Sequence, residues 1–177
     1  MPRTAPSIAA CLVLQGETPP ALDADIRRLA ALADEVVVYD TADHVAPGSA
    51  AFEATLHPAV TVVSGFWAED RARAKAAALA HVRADWALCV LPGEKLTGST
   101  EQLRAVLAGA AELPALSVLV DDVVRGTHRS ARLLHRGLEG AGCQDAGGEV
   151  PSGVLTIQQP VATTARVPRQ RGVFEAV

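Results

Sequence analysis

Four apolar runs of this chain lead directly to acidic residues. Ile8-Ala9-Ala10-Cys11-Leu12-Val13-Leu14 is followed by Gln15-Gly16-Glu17, and Val36-Val37-Val38-Tyr39 ends at Asp40. Trp86-Ala87-Leu88-Cys89-Val90-Leu91 turns at Pro92-Gly93 and reaches Glu94, and Leu116 to Val120 ends at Asp121-Asp122. A carboxylate at the end of a buried strand can accept hydrogen bonds from a ligand, take a proton from a reacting hydroxyl, or join other oxygens around a hard cation. The same residues also begin turns and cap helices, so their types alone do not choose among these roles.

The runs between these groups predict how they are positioned. Ile8–Leu14, Val36–Tyr39, Val60–Val63, Trp86–Leu91 and Leu116–Val120 are continuous apolar runs of strand length, as strands buried on both faces require. Ala131–Leu134 adds a sixth, and Val154–Ile157 a late edge strand. Asp23 to Ala33 carries Ile26, Leu29, Ala30 and Ala33 at helical spacing. Ala68 to Val82, free of Gly and Pro, and Thr100 to Ala111 read as further helices, with Thr100 as a cap. A short helix fits Ala50 to Leu56. From Gly137 onward, Gly137, Gly140, Gly142, Gly147, Gly148 and Gly153 predict loops. The alternation predicts an open α/β sheet with helices on both faces, whose ligands bind beyond the carboxyl ends of the strands.

Composition narrows the function classes. A chain of 177 residues, 49% hydrophobic, suits one domain with a core built from small and β-branched side chains. The net charge of −4 and the absence of a run of five basic residues give nucleic-acid binding no electrostatic support. No apolar stretch approaches the roughly 20 residues a membrane span needs. Cys11, Cys89 and Cys143 lack paired spacing, and the first two sit inside strands as small core residues, which fits a reducing, cytoplasmic setting. The five histidines show no metal-ligand spacing, and neither G-x-G-x-x-G, a P-loop nor G-x-S-x-G occurs.

Five segments, in order over about 130 residues, carry a resemblance: Ala10-Cys11-Leu12-Val13-Leu14-Gln15-Gly16-Glu17; Ala33-Asp34-Glu35-Val36-Val37-Val38-Tyr39-Asp40-Thr41; Trp67 and Asp70 leading to Lys75 and Leu79; Ala84-Asp85-Trp86-Ala87-Leu88; and Arg132-Leu133-Leu134-His135. Together they resemble the family-2 glycosyltransferases of the GT-A fold. The fold this implies is α/β, a Rossmann-type three-layer α/β/α sandwich with a mostly parallel sheet. Residues 1–160 would form the nucleotide-sugar-binding domain and 161–177 a weakly ordered tail.

The resemblance also implies a donor such as a UDP-sugar, bound by Gln15, Gly16, Glu17, Asp40, Thr41, Lys75 and Gly93. Asp40 and Glu17 would lie near the base and ribose, and Lys75 near a phosphate. The family's Asp-x-Asp holds Mn²⁺ or Mg²⁺ against the pyrophosphate. Leu91 and Gly93 replace that pair, leaving Glu94 as the metal carboxylate. Asp121, Asp122 and Asp145 are the candidates to take the acceptor's proton. The acceptor is unassigned, and a homodimer or pathway partner is compatible. Two activities stay open: glycosyl transfer without the metal pair, or an inactive domain that binds or scaffolds. A third reading is a different α/β binding module alike only in fold.

Overall fold

The apolar run at the start of the chain is strand β1 (Ile8–Leu14), buried along nearly its whole length. It is followed by α1 (Leu22–Leu32), β2 (Glu35–Asp40), α2 (Ala50–Thr55) and β3 (Val60–Ser64). Next come α3 (Arg71–Leu79), β4 (Trp86–Val90), β5 (Lys95–Gly98) and α4 (Thr100–Gly109). The strands β6 (Ala115–Asp122), β7 (Gly126–His135), β8 (Gly148–Glu149) and β9 (Leu155–Gln158) complete the order. This computed structural model describes residues 5–16, 18–66, 70–137 and 147–160. The expected 161–177 tail lies outside them.

Side-chain caps mark where three helices begin. Ser49 caps α2 by accepting from the Phe52 N–H. Asp70 caps α3, its carboxylate accepting from the N–H groups of Ala72 and Arg73. For α4 the cap is Ser99 and not Thr100, which is the first helical residue. Each cap satisfies N–H groups that have no partner within the helix.

All nine strands join one sheet in the order β3-β2-β1-β4-β7-β6-β9-β5, with β8 also on β6. The sheet is mixed. β1 pairs in parallel with β2 and β4, and β2 with β3. β7 runs antiparallel to both β4 and β6. Two expectations change here. The strand near Val154–Ile157 is no edge, because β9 lies between β6 and β5. The edge is β5, whose four largely exposed residues carry no apolar run to reveal a strand. The strand expected at Ala131–Leu134 is the more buried end of β7, which begins at Gly126 and pairs with β6 through exposed and half-buried residues.

Alternation along β1 divides the core between the two sheet faces, as a period of two demands. Ile8, Ala10, Leu12 and Leu14 pack with Ile26 and Leu29 of α1, Ala51 and Ala54 of α2, and Leu103 and Leu107 of α4. On the other face, Cys11 and Tyr39 meet Ala74 and Ala78 of α3. From β1 the chain steps outward to β2 and β3, then returns through α3 to place β4 on the other side of β1. Strand order therefore reverses between β1 and β4, where an α/β sheet opens a crevice beyond its carboxyl ends. Among the described residues no helix is long and apolar enough to cross a membrane.

Candidate functional site

A cleft of about 550 Å³ lies at this reversal, on the α3 face of the sheet. Its floor is Cys11 and Val13 of β1 with Cys89 and Val90 of β4. One wall is Arg71 and Lys75 of α3; the opposite wall is Ser130, Ala131 and Arg132 of β7. Gln15, Pro19, Leu91 and Pro92 form the rim. Arg71 and Lys75 are four residues apart, so one face of α3 presents both. The described lining holds three cations and no carboxylate, on a chain whose net charge is −4.

The floor is chemically active in its own right. Cys11 and Cys89 are direct partners across the parallel pair of β1 and β4. The Cys11 thiol and the Lys75 ammonium line the same cleft beside the Cys89 thiol. Against the upward push of burial, these groups and the nearby Arg132 guanidinium lower Cys89 to about 7. The neighbouring Cys89 and burial push Cys11 well above the ordinary thiol value.

The turn that closes β4 is bolted from two sides. Glu94 N–H donates to the Leu91 carbonyl at 3.1 Å, closing a turn with Pro92 and Gly93 at its centre. Gly93 has φ +80°, the left-handed value that a type II turn requires at this place. Its N–H donates to Asp25 Oδ2 at 2.7 Å, and Arg28 donates to both Asp25 Oδ1 (2.8 Å) and the Glu94 carbonyl (2.7 Å). From the other side, Arg132 donates to Glu94 Oε1 at 2.7 Å and to the Cys89 carbonyl.

Glu94 was the expected metal carboxylate, and the structure gives it a different surrounding. It is 1% exposed, and its oxygens accept from Arg132, from the Leu91 N–H at 2.8 Å and from Gln159 Nε2 at 3.0 Å. Among the described residues no group of three or more His, Cys, Asp and Glu is arranged to hold a metal ion. Mn²⁺ and Mg²⁺ require several oxygen ligands. Among the described residues the cleft offers the Gln15 amide and the Ser130 hydroxyl and no acid, a set that does not fit such an ion.

The group expected to meet a nucleotide base is likewise turned inward. Asp40 is 5% exposed. Its Oδ1 accepts from His44 Nδ1 at 2.7 Å and the Ala42 N–H, and its Oδ2 from the Val45 N–H at 2.9 Å. Burial pulls the Asp40 carboxyl upward, but the His44, Val45 and Ala42 bonds outweigh it and hold Asp40 below the usual carboxylate range. His44 bridges onward to the Gly16 carbonyl at 2.9 Å, and the Thr41 hydroxyl donates to the Leu14 carbonyl at 2.7 Å. Gly16, Asp40 and Thr41 are thus brought together, tying the ends of β1 and β2.

The remaining candidates are spread out. Gln15 and Lys75 line the cleft, and Gln15 Oε1 is buried without a partner among the described residues. Asp121 closes β6 on the same end of the sheet as the cleft; Gln159 N–H donates to its carbonyl while the Gln159 side chain reaches Glu94. Asp122 is exposed to solvent in the β6–β7 hairpin, where the Val124 and Arg125 N–H groups lower its pKa. Glu17 and Asp145 lie outside the described residues. Arg132 carries a sequence signal only as part of a strand; Asp25, Arg28, His44 and Gln159 carry none, because their partners are 3 to 68 residues away along the chain.

No family model matches this chain, and no curated protein matches it. Solved structures do. The mannosyltransferase PcManGT from Pyrobaculum calidifontis, in complex with GDP-Man and Mn²⁺, is similar over 93% of this chain at TM-score 0.61 and 15% identity. TarS 1-349 from S. aureus matches 66% of the chain at TM-score 0.50 and 14% identity. Rv0371C from Mycobacterium tuberculosis, solved with manganese, matches 89% of it at TM-score 0.51 and 16% identity. The chain spans 59% of the first structure, 36% of the second and 91% of the third. At these identities the likeness shows the fold alone: a mixed α/β domain of glycosyltransferase-like architecture.

Proposed function

We propose that the cleft binds the diphosphate of a nucleotide sugar in a GT-A-type domain of the family-2 kind, and that cationic side chains replace the metal. The observation that carries this reading is the lining: Arg71, Lys75 and Arg132 without an acid, at the reversal of strand order. Departure of a nucleoside diphosphate develops negative charge on its phosphate oxygens. Fixed cations in a cleft can stabilise that charge as it forms. Arg132 is already neutralised by Glu94, so Arg71 and Lys75 carry the larger share. A fold shared with a mannosyltransferase solved with GDP-Man supports a nucleotide sugar as the diphosphate.

Asp40 and Thr41 act here as positioning residues for the wall beside the cleft, with Gln15 left to meet the ligand. Transfer needs a carboxylate to take the acceptor proton. Asp121 is our choice, because it sits at the cleft end of β6 and is linked through Gln159 to the 91–94 turn. The depressed Asp122 makes a weaker base. A binding-only domain is the second reading, favoured by the engagement of Glu94 and Asp40 with the chain itself.

Calorimetric titration with UDP, GDP and their common sugars tests the proposal. Micromolar binding by the native chain, weakened at least ten-fold in the Arg71→Ala, Lys75→Ala double variant, is expected. Equal affinity in both proteins would remove the cleft from the binding site. Product formation lost in Asp121→Asn would separate transfer from binding alone.

A further inference from the structure

We propose that Cys11 and Cys89 form a thiol–disulfide exchange site on the floor of the cleft, with Cys89 attacking and Cys11 resolving. The inference does not depend on what the cleft binds.

Three observations carry it. The two cysteines are register partners on adjacent parallel strands, facing the same side. Neighbouring strands lie about 4.8 Å apart, inside the 4.4–6.8 Å Cα range that a disulfide spans. Both line an open cleft, buried in its floor, Cys89 at 8% exposure and Cys11 at 2%. The charged groups around the pair are Lys75 and Arg71 from α3 and Arg132 from β7, all cationic. They favour the thiolate, in keeping with the lowering of Cys89 to about 7. A structural core cysteine lies in apolar surroundings and is inert; a thiolate beside cations in a cleft is reactive.

The step balances with a small-molecule disulfide as co-reactant. The Cys89 thiolate attacks one sulfur of the reagent, its S–S bond breaks, and one thiol leaves after taking a proton from solvent. The Cys11 sulfur, releasing its proton, then attacks the Cys89 sulfur of the mixed disulfide, and the second thiol leaves. The two protein sulfurs are oxidised to one disulfide, and the reagent is reduced to two thiols.

The test uses 2,2′-dithiodipyridine on the folded chain carrying Cys143→Ser, with released pyridine-2-thione and intact mass as readouts. Two thiones per chain and no retained adduct are expected. Cys11→Ser should release one thione and keep the adduct, and Cys89→Ser should lose the fast phase. In Lys75→Met the midpoint of the fast phase should rise above about 7 without a full return to ~8.5, because Cys11 and Arg132 remain, and the reaction at neutral pH should slow. Peptide mapping of the unsubstituted chain after treatment should find Cys11 linked to Cys89. A stable adduct in the Cys143→Ser chain, a linkage through Cys143 instead, or reaction only in denaturant would overturn the proposal.

Discussion

The carboxyl end of the sheet is built in two contrasting ways. At the ends of β2 and β4, each buried acid is surrounded by donors from the chain itself: Asp40 by His44, Val45 and Ala42, and Glu94 by Arg132, Leu91 and Gln159. Across the cleft, Arg71 and Lys75 form no ion pair with an acid among the described residues. Asp40 and Glu94 are bonded to the chain itself, and in the proposed function Arg71 and Lys75 are the groups left to meet a ligand. Burial explains the division. A buried charge without donors costs several kcal/mol, so a fully buried carboxylate such as Glu94 is supplied with donors by the fold.

The sharpest way to break this contrast is to remove the donor to Glu94. Arg132→Met strands a buried carboxylate and should lower stability by about 3–5 kcal/mol, read by guanidinium denaturation. Adding Glu94→Gln should recover much of that loss, since no charge then remains to desolvate. A mild effect of Arg132→Met alone would mean Glu94 is hydrated and free for a ligand.

Asp40→Asn comes next. It weakens the charge-assisted bond to His44 and should cost about 1.5–3 kcal/mol. A pH scan adds the sign. The folded pKa of Asp40 lies below its ordinary value, so its contribution is complete above ~3.9 and is lost as pH falls through the folded value. The stability gap between the native chain and the Asn variant should therefore narrow as pH falls through that value. Gly93→Ala is expected to be the smallest of the three, about 1–2 kcal/mol for a side chain at φ +80°. The added Cβ would lie 3.1 Å from Pro160 Cγ. For the same reason an Asp placed at this turn would be strained, and should not create a tight Mn²⁺ site.

Much of the fold was legible because buried strands announce themselves as apolar runs: β1, β2, β4 and β6 all lie where such runs predict them. β5 and the first half of β7 were not, since their residues are exposed or half-buried, carry no apolar run, and are strands by backbone pairing. In the site, positions were legible and roles were not. Asp40 and Glu94 do stand at strand ends, but an acid facing a ligand and one facing His44 or Arg132 have the same sequence signature. What decides is a partner brought by folding, such as Asp25 to Gly93 across 68 residues. The sequence does not single out Arg71 beside Lys75, because a solvated helix face has the same spacing until the strand-order reversal places it over a cleft.

The central claim is that cations in the cleft, without a metal, hold a diphosphate. Calorimetric titration of GDP and UDP into the chain stripped with EDTA tests it most directly, with a second titration in Mn²⁺. Equal affinity in the two titrations, falling with added salt as charge screening requires, is the predicted result. Binding that appears only with Mn²⁺ would contradict the account.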